Sequence, residues 1–304
     1  MSPAIRLGGE QAPIERAPKA PRGRLRREQV TLGGIETRSI VAEGSGAPTV
    51  LLHGWMDNAD TWLSVLERLA AAGRPAAAYD LPGFGTAPPL GDGSVVDQLT
   101  DFAAAAVELA AERTGHDVVV AGNSLGGWVT LRLAERDLPL AGVIPIGPAG
   151  IRMAPFFFTA DRIPAVHRVI GLPAPVPPAL VRSIMGRFYR SLAYADPDSV
   201  DQAVVDRFTK HNVDRAVLRR RIEYAKRLRP ELSDPFDPSK IDVPVIALWG
   251  DRDRLCMPTG AQKLGEMLPH ARIEVLENVG HTPQIETPDR VVAAITELAG
   301  RGRQ

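Results

Sequence analysis

Val118-Val119-Val120-Ala121-Gly122-Asn123-Ser124-Leu125-Gly126-Gly127 decides the reading of this chain. The first four residues are apolar and mostly β-branched, the pattern of a short buried strand, and from Leu125 to Glu135 the apolar positions recur at helical spacing. Ser124 therefore stands on a sharp strand-to-helix turn, its backbone strained and its hydroxyl projecting above a sheet. Glycines are needed on either side because a Cβ there would collide with neighbouring backbone. The pentapeptide is common by itself, and the strand–turn–helix context makes it specific. Ser124 is the candidate nucleophile.

Working outward, Gln29–Leu32 and Ile35–Ala42 flank Gly33-Gly34 and read as a β-hairpin. Thr49–Leu52, Ala76–Tyr79, Val118–Ala121, Leu140–Ile146, Val243–Leu248 and Arg272–Leu276 read as short strands. Helical patterns at 60–72, 95–113, 125–135, 260–268 and 287–298 separate or follow them. This alternation predicts an α/β fold, a parallel sheet with helices on both faces. Residues 151–239 break the rhythm: they hold no convincing strand, several prolines, the run Phe156-Phe157-Phe158 and three helical segments. They read as a helical cap inserted into a core formed by residues 29–150 and 240–304. Residues 1–28, rich in Pro, Arg, Ala and Gly, read as a flexible arm.

A serine hydroxyl needs a base, and the base needs an orienting carboxylate. Of six histidines, His116 precedes a strand on the wrong edge, His167 and His211 fall in the insertion, and His270 lies before a strand. His53 ends a strand on the productive edge, but Gly54 follows and it reads as a loop-shaping residue. His281, past the last strand, lies in the loop where a base belongs. For the acid, Trp249-Gly250-Asp251-Arg252-Asp253 ends a strand; Asp253 can turn back towards the histidine, while Asp251 braces the turn. The order Ser…Asp…His is the one this architecture uses. Acyl transfer also needs donors for a developing oxyanion, and the backbone N–H groups of Leu125 and Trp55 are the candidates.

Leu51-Leu52-His53-Gly54-Trp55, Tyr79-Asp80-Leu81-Pro82-Gly83-Phe84-Gly85, Gly122–Gly127, Trp249–Asp253 and Gly280-His281-Thr282-Pro283 with Glu286 and Pro288 together resemble the α/β-hydrolase superfamily, in order and spacing, over roughly residues 29–300. The resemblance implies an eight-stranded, mostly parallel sheet with a helical cap, and a structural Asp80 near the serine loop. Haloalkane dehalogenases and epoxide hydrolases of that superfamily carry Asp where this chain has Ser124. The Gly-rich oxyanion loop of the hormone-sensitive-lipase-like esterases is absent at His53-Gly54-Trp55-Met56. Meta-cleavage-product hydrolases usually have Trp where Thr282 stands, and the family's proline after the acid comes at Pro258, one residue late.

Composition narrows the rest. The 304 residues carry 36 Lys and Arg against 36 Asp and Glu, so no net charge draws a nucleic acid. Only five of the basic residues are lysines, which reads as a coding bias. A single cysteine, Cys256, excludes an internal disulfide framework and a multi-thiolate metal site, and reads as an inert packed residue. No apolar stretch is long enough to span a membrane and no secretory leader is evident, so a cytoplasmic location is the default expectation.

Phe156–Phe158, Ile163, Val166, Ile170 and Met185 suggest an apolar pocket under the cap, with Trp55, Phe157 and Arg187 as candidate substrate contacts. The expected function is a serine hydrolase acting on a small-molecule ester with apolar acyl or aryl groups, with no metal or organic cofactor. C–C bond hydrolysis and cofactor-free perhydrolysis use the same three residues and stay open. A small-molecule receptor on the same fold is the non-enzymatic alternative.

Overall fold

The computed structural model describes residues 6–7, 25–155, 177–234 and 236–301. In chain order these form β1 (Arg6–Leu7), β2 (Leu25–Leu32), β3 (Ile35–Ala42), β4 (Thr49–Leu52), α1 (Leu63–Ala71), β5 (Ala76–Tyr79), α2 (Val95–Thr114), β6 (Val118–Asn123), α3 (Leu125–Ala134) and β7 (Leu140–Ile146). Next come α4 (Pro178–Ala193), α5 (Gln202–Lys210) and α6 (Arg215–Glu231), and then β8 (Ile246–Gly250), α7 (Thr259–Met267), β9 (Arg272–Leu276), α8 (Pro283–Glu286) and α9 (Pro288–Ala299).

The strands make one sheet in the order β1-β9-β8-β7-β6-β4-β5-β3-β2. Among the described strands, only β2 with β3 and β3 with β5 pair antiparallel. Eight of these strands match the expected sheet. The ninth is Arg6–Leu7, laid parallel on Glu274 and Val275 at the far edge. The first hairpin strand begins at Leu25 rather than Gln29, because Leu25 to Glu28 continue the ladder opposite Ala42 to Ser39. Arg26, Arg27 and Glu28 make that edge charged, which discourages pairing with another chain.

β4, β6, β7 and β8 are buried at every position, as expected of parallel strands covered on both faces. One layer of core packs α2, α3 and α7 against the sheet through Leu99, Phe102, Val129 and Leu264; the other packs α1 and α9 through Leu66, Leu69, Val291 and Ile295. Burying one such aliphatic side chain is worth about 1.5–3 kcal/mol. The parallel strands run the same way, so the segments leaving β4, β5, β6, β7, β8 and β9 gather at one rim.

The cap helices α4–α6 enter between β7 and β8 and are tied to that rim by polar contacts. The Glu231 carboxylate accepts from the amides of Val95 (3.0 Å) and Val96 (2.7 Å), using the positive end of α2. The Leu90 amide donates to the Tyr224 hydroxyl at 2.9 Å. Arg254 donates to the carbonyls of Ser191 (2.6 Å) and Tyr194 (3.1 Å), where α4 ends. No described helix is long and apolar enough to cross a membrane.

Candidate active site

Ser124 joins β6 to α3 with φ +56° and ψ −112°, a backbone conformation L residues rarely adopt. The surroundings over-determine it. Its amide donates to Ile146 O at 2.8 Å, and its carbonyl accepts from Trp128 N (3.0 Å) and Ala149 N (2.9 Å). A Cβ at Gly122 would collide with the Gly126 carbonyl, and one at Gly126 with the Leu52 carbonyl. The turn is tight because α3 leaves the sheet directly against β4 and β6. Strain of this kind, held at a partly exposed hydroxyl, is typical of a working group.

At the same rim, His281 Nδ1 lies 2.7 Å from Asp253 Oδ2. Both residues are buried. The other oxygen of Asp253 accepts from the amides of Leu255 and Cys256, each at 2.8 Å, which leaves Oδ2 to the imidazole. With Nδ1–H donating to the carboxylate, Nε2 is the basic nitrogen. Room for this pair depends on Gly147, just past β7 at φ +46°: a Cβ there would sit 3.0 Å from Asp253 Oδ2 and 3.5 Å from His281 Nδ1. Asp251 takes a different place, its carboxylate accepting from Val279 N at 3.2 Å and holding the two loops together.

Asn123, beside the serine, donates through Nδ2 to His281 O at 2.8 Å, so the serine turn and the histidine loop are directly joined. Among the described residues no hydrogen bond links the Ser124 hydroxyl to His281; in ligand-free sites such a bond is commonly long and tightens with substrate. Glu286 binds Gly280 N and the cap residue Ala195 N, each at 2.9 Å. Burial pushes its carboxyl up, against the pull of those amides. Sequence reasoning found no role for Asn123 or Glu286, since each acts by a hydrogen bond to backbone distant in the chain.

Two further groups lie close by. A Cβ on Gly54 would be 3.1 Å from Ser124 Cβ, so the Gly54–Trp55 peptide runs alongside the serine. Among the described residues the Trp55 and Leu125 amides have no backbone acceptor. The Trp55 indole meets Phe84 edge-on at 5.3 Å, and Phe84 carries the Arg221 guanidinium 4.2 Å from its ring centre. Arg221 is buried and donates to the Gly83 carbonyl; desolvation brings its pKa down to about 10. Cys256 is buried, and burial, then the Asp253 charge, pushes its thiol well up, against a hydrogen bond with Ser124.

His53 has both ring nitrogens engaged, Nδ1 with Gly54 O at 2.8 Å and Nε2 accepting from Leu81 N at 3.0 Å. Asp80 accepts from Arg38, Ala59 N and the amide and hydroxyl of Thr86. Of the expected substrate contacts, Trp55 lies at the rim, Arg187 lies exposed on α4, and Phe157 falls outside the described residues. Phe156, Phe158, Ile163, Val166 and Ile170 fall outside them as well. Among the described residues no group of three or more His, Cys, Asp or Glu could hold a metal ion.

A strained serine at a strand-to-helix turn, at the rim of a mostly parallel sheet and beside a histidine–carboxylate pair, defines the class as α/β-hydrolase. The model of the alpha/beta hydrolase family matches residues 49–294, and the chain belongs to that family. A pimeloyl-[acyl-carrier protein] methyl ester esterase from Nitrosomonas europaea is 27% identical over 271 residues, covering 85% of this chain and 98% of that one. Lipase 3 of Moraxella sp. (strain TA144) is 22% identical over 258 residues, 80% of this chain and 74% of that one. Among solved structures, the 2-hydroxy-6-oxo-6-phenylhexa-2,4-dienoate hydrolase of Rhodococcus sp. strain RHA1 matches with a TM-score of 0.72 at 22% identity. It covers 90% of this chain and 98% of that one, and shows the shared fold.

Proposed function

We propose that this chain is a serine hydrolase of carboxylic esters with apolar acyl or aryl groups, working through an acyl-enzyme. Ser124 Oγ attacks the ester carbonyl while His281 Nε2 takes its proton. Asp253 holds the imidazole in the required tautomer and stabilises the cation that forms. The carbonyl oxygen becomes an oxyanion, met by the amides of Leu125 and Trp55. His281 then protonates the departing alkoxide, the C–O bond breaks, and the alcohol leaves. Water, deprotonated by the same nitrogen, adds to the acyl group, and collapse of the second tetrahedral species returns Ser124 and releases the acid.

The observation that carries this reading is the left-handed Ser124 tethered, through Asn123, to the loop whose histidine is 2.7 Å from Asp253. The names of the ester-cleaving relatives support the choice of bond. The test is turnover of p-nitrophenyl esters of graded acyl length by wild type and Ser124→Ala. Wild type should hydrolyse them, and the variant, folded by circular dichroism, should lose about six orders of magnitude in kcat. A variant that keeps its rate would remove Ser124 from the role.

A further inference from the structure

The loop that would supply the Trp55 amide is itself held from the cap. Gly54 to Asp57 form a turn closed by Asp57 N donating to Gly54 O at 3.3 Å, and its third residue is Met56 at φ +61°. That is a position where such turns take glycine or asparagine, because any other side chain is strained there. Nothing in Met56 itself prefers this backbone.

What meets it is Asn212, just past the end of α5 and only 1% exposed. Its Nδ2 donates to Met56 O at 2.6 Å and to Phe208 O at 2.8 Å, which uses both amide hydrogens. The opposite amide orientation would set Oδ1 against two carbonyl oxygens, so the assignment follows from the partners. Among the described residues, buried Oδ1 meets no hydrogen-bond partner, and the side chain is engaged through its donors. A second link runs the same way, Asn58 Nδ2 to Arg207 O at 3.3 Å.

We infer that Asn212 is a positioning residue for the oxyanion loop: from the cap it grips the Met56 carbonyl and keeps the Trp55 amide aimed at the reacting carbonyl oxygen. This rests on the reading of Trp55 N–H as a donor to that oxygen. It makes the electrostatic half of the site depend on a cap residue 156 positions away in the chain. An ordinary helix-end role for Asn212 would need only the Phe208 contact and would leave Met56 out.

The test is a double-mutant cycle between Asn212→Ala and Met56→Gly. It is read by kcat and KM on a p-nitrophenyl ester, by the rate of Ser124 labelling with a fluorophosphonate, and by thermal melts. Asn212→Ala should lower kcat and the labelling rate about 10–100-fold with KM within about threefold, since an oxyanion donor acts mainly in the transition state. Asn212→Asp, which sets oxygens against the two carbonyls, should lose more. Adding Met56→Gly to Asn212→Ala should restore at least about fivefold, because glycine takes the left-handed conformation unaided; a residue that merely supports α5 gains nothing from it. If Asn212→Ala fails to fold, Asn212→Gln carries the same cycle. An unchanged kcat in the Asn212 variants, or no restoration by Met56→Gly, overturns the inference. A wild type that the probe never labels at Ser124 overturns instead the reading on which it rests.

Discussion

Two imidazoles stand at the same rim of the sheet, and their surroundings set them to different work. His53 is fully buried between Gly54 O and Leu81 N, with both nitrogens engaged. Desolvation holds its pKa down at about 4, only partly opposed by the charge of Asp80. His281 gives one nitrogen to Asp253 and keeps the other without a hydrogen-bond partner among the described residues. An imidazole whose nitrogens are both satisfied by backbone organises a loop. One held by a single carboxylate is oriented and still able to exchange a proton. The carboxylates divide in the same way. Asp80 is saturated by Arg38, Ala59 and Thr86, while Asp253 spends one oxygen on backbone and gives the other to His281.

This contrast breaks if the two histidines can be exchanged in their effects. His281→Ala should lower kcat about 10⁶-fold, assayed on a p-nitrophenyl ester, and shift the melting midpoint little. His53→Ala should act chiefly on stability, leaving the Leu81 amide buried without its acceptor; a fall in kcat as large as that of His281→Ala, with an unchanged melt, would reverse the assignment.

The next largest effect is expected at the saturated carboxylate. In Asp80→Asn, Arg38 loses the anion it meets at 2.9 Å. Burial would raise the Asp80 pKa, but Arg38 and the Ala59 amide hold it at about 2. Arg38 keeps Asp60 at 2.8 Å, so losing the charge-assisted bonds to Asp80 should cost about 1.5–3 kcal/mol, which urea unfolding would read as a lower midpoint. A loss under about 1 kcal/mol would mean the network is incidental.

The smallest effect sharpens the comparison through pH. His53 has its folded pKa below the unfolded 6.5, so its contribution is intact above pH 6.5 and is lost as pH falls to about 4. Asp57, buried in the neighbouring loop, works the other way. Burial lifts its carboxyl to about 7, so stability is lost as pH rises from about 4 to 7. Each group contributes at most about 1.4 kcal/mol per pH unit, and in wild type the two slopes largely cancel between pH 4 and 6.5. Asp57→Asn should therefore be steeper than wild type there, its midpoint rising with pH. A pH-independent midpoint in that variant would remove the proposed His53 contribution.

Much of the architecture was legible because it is written locally. The β-branched run at Val118–Val120 against the periodicity after Leu125 marks β6 and α3, and Gly33-Gly34 marks the first hairpin. The positions of Ser124, Asp253 and His281 could be chosen because each follows a strand that runs to one rim. Strand ends were less legible: the start at Leu25 and the pairing of Arg6–Leu7 depend on a neighbouring ladder rather than on these residues themselves. Asn123 and Glu286 stood inside motifs without a role, and Asn212 stood in none, since a polar side chain that serves distant backbone shows its task only when that backbone is near.

By itself, the order of residues determined a parallel α/β sheet, a serine on a strained turn and a histidine and carboxylate following later strands, because hydrophobic period and turn chemistry act over a few residues. Tertiary structure alone decided which imidazole keeps a nitrogen without a partner among the described residues, which carboxylate oxygen faces it, and that Met56 is gripped from beyond α5. Those outcomes depend on hydrogen-bond partners far apart in the chain, and only the assembled sheet with its cap brings such partners within about 3 Å.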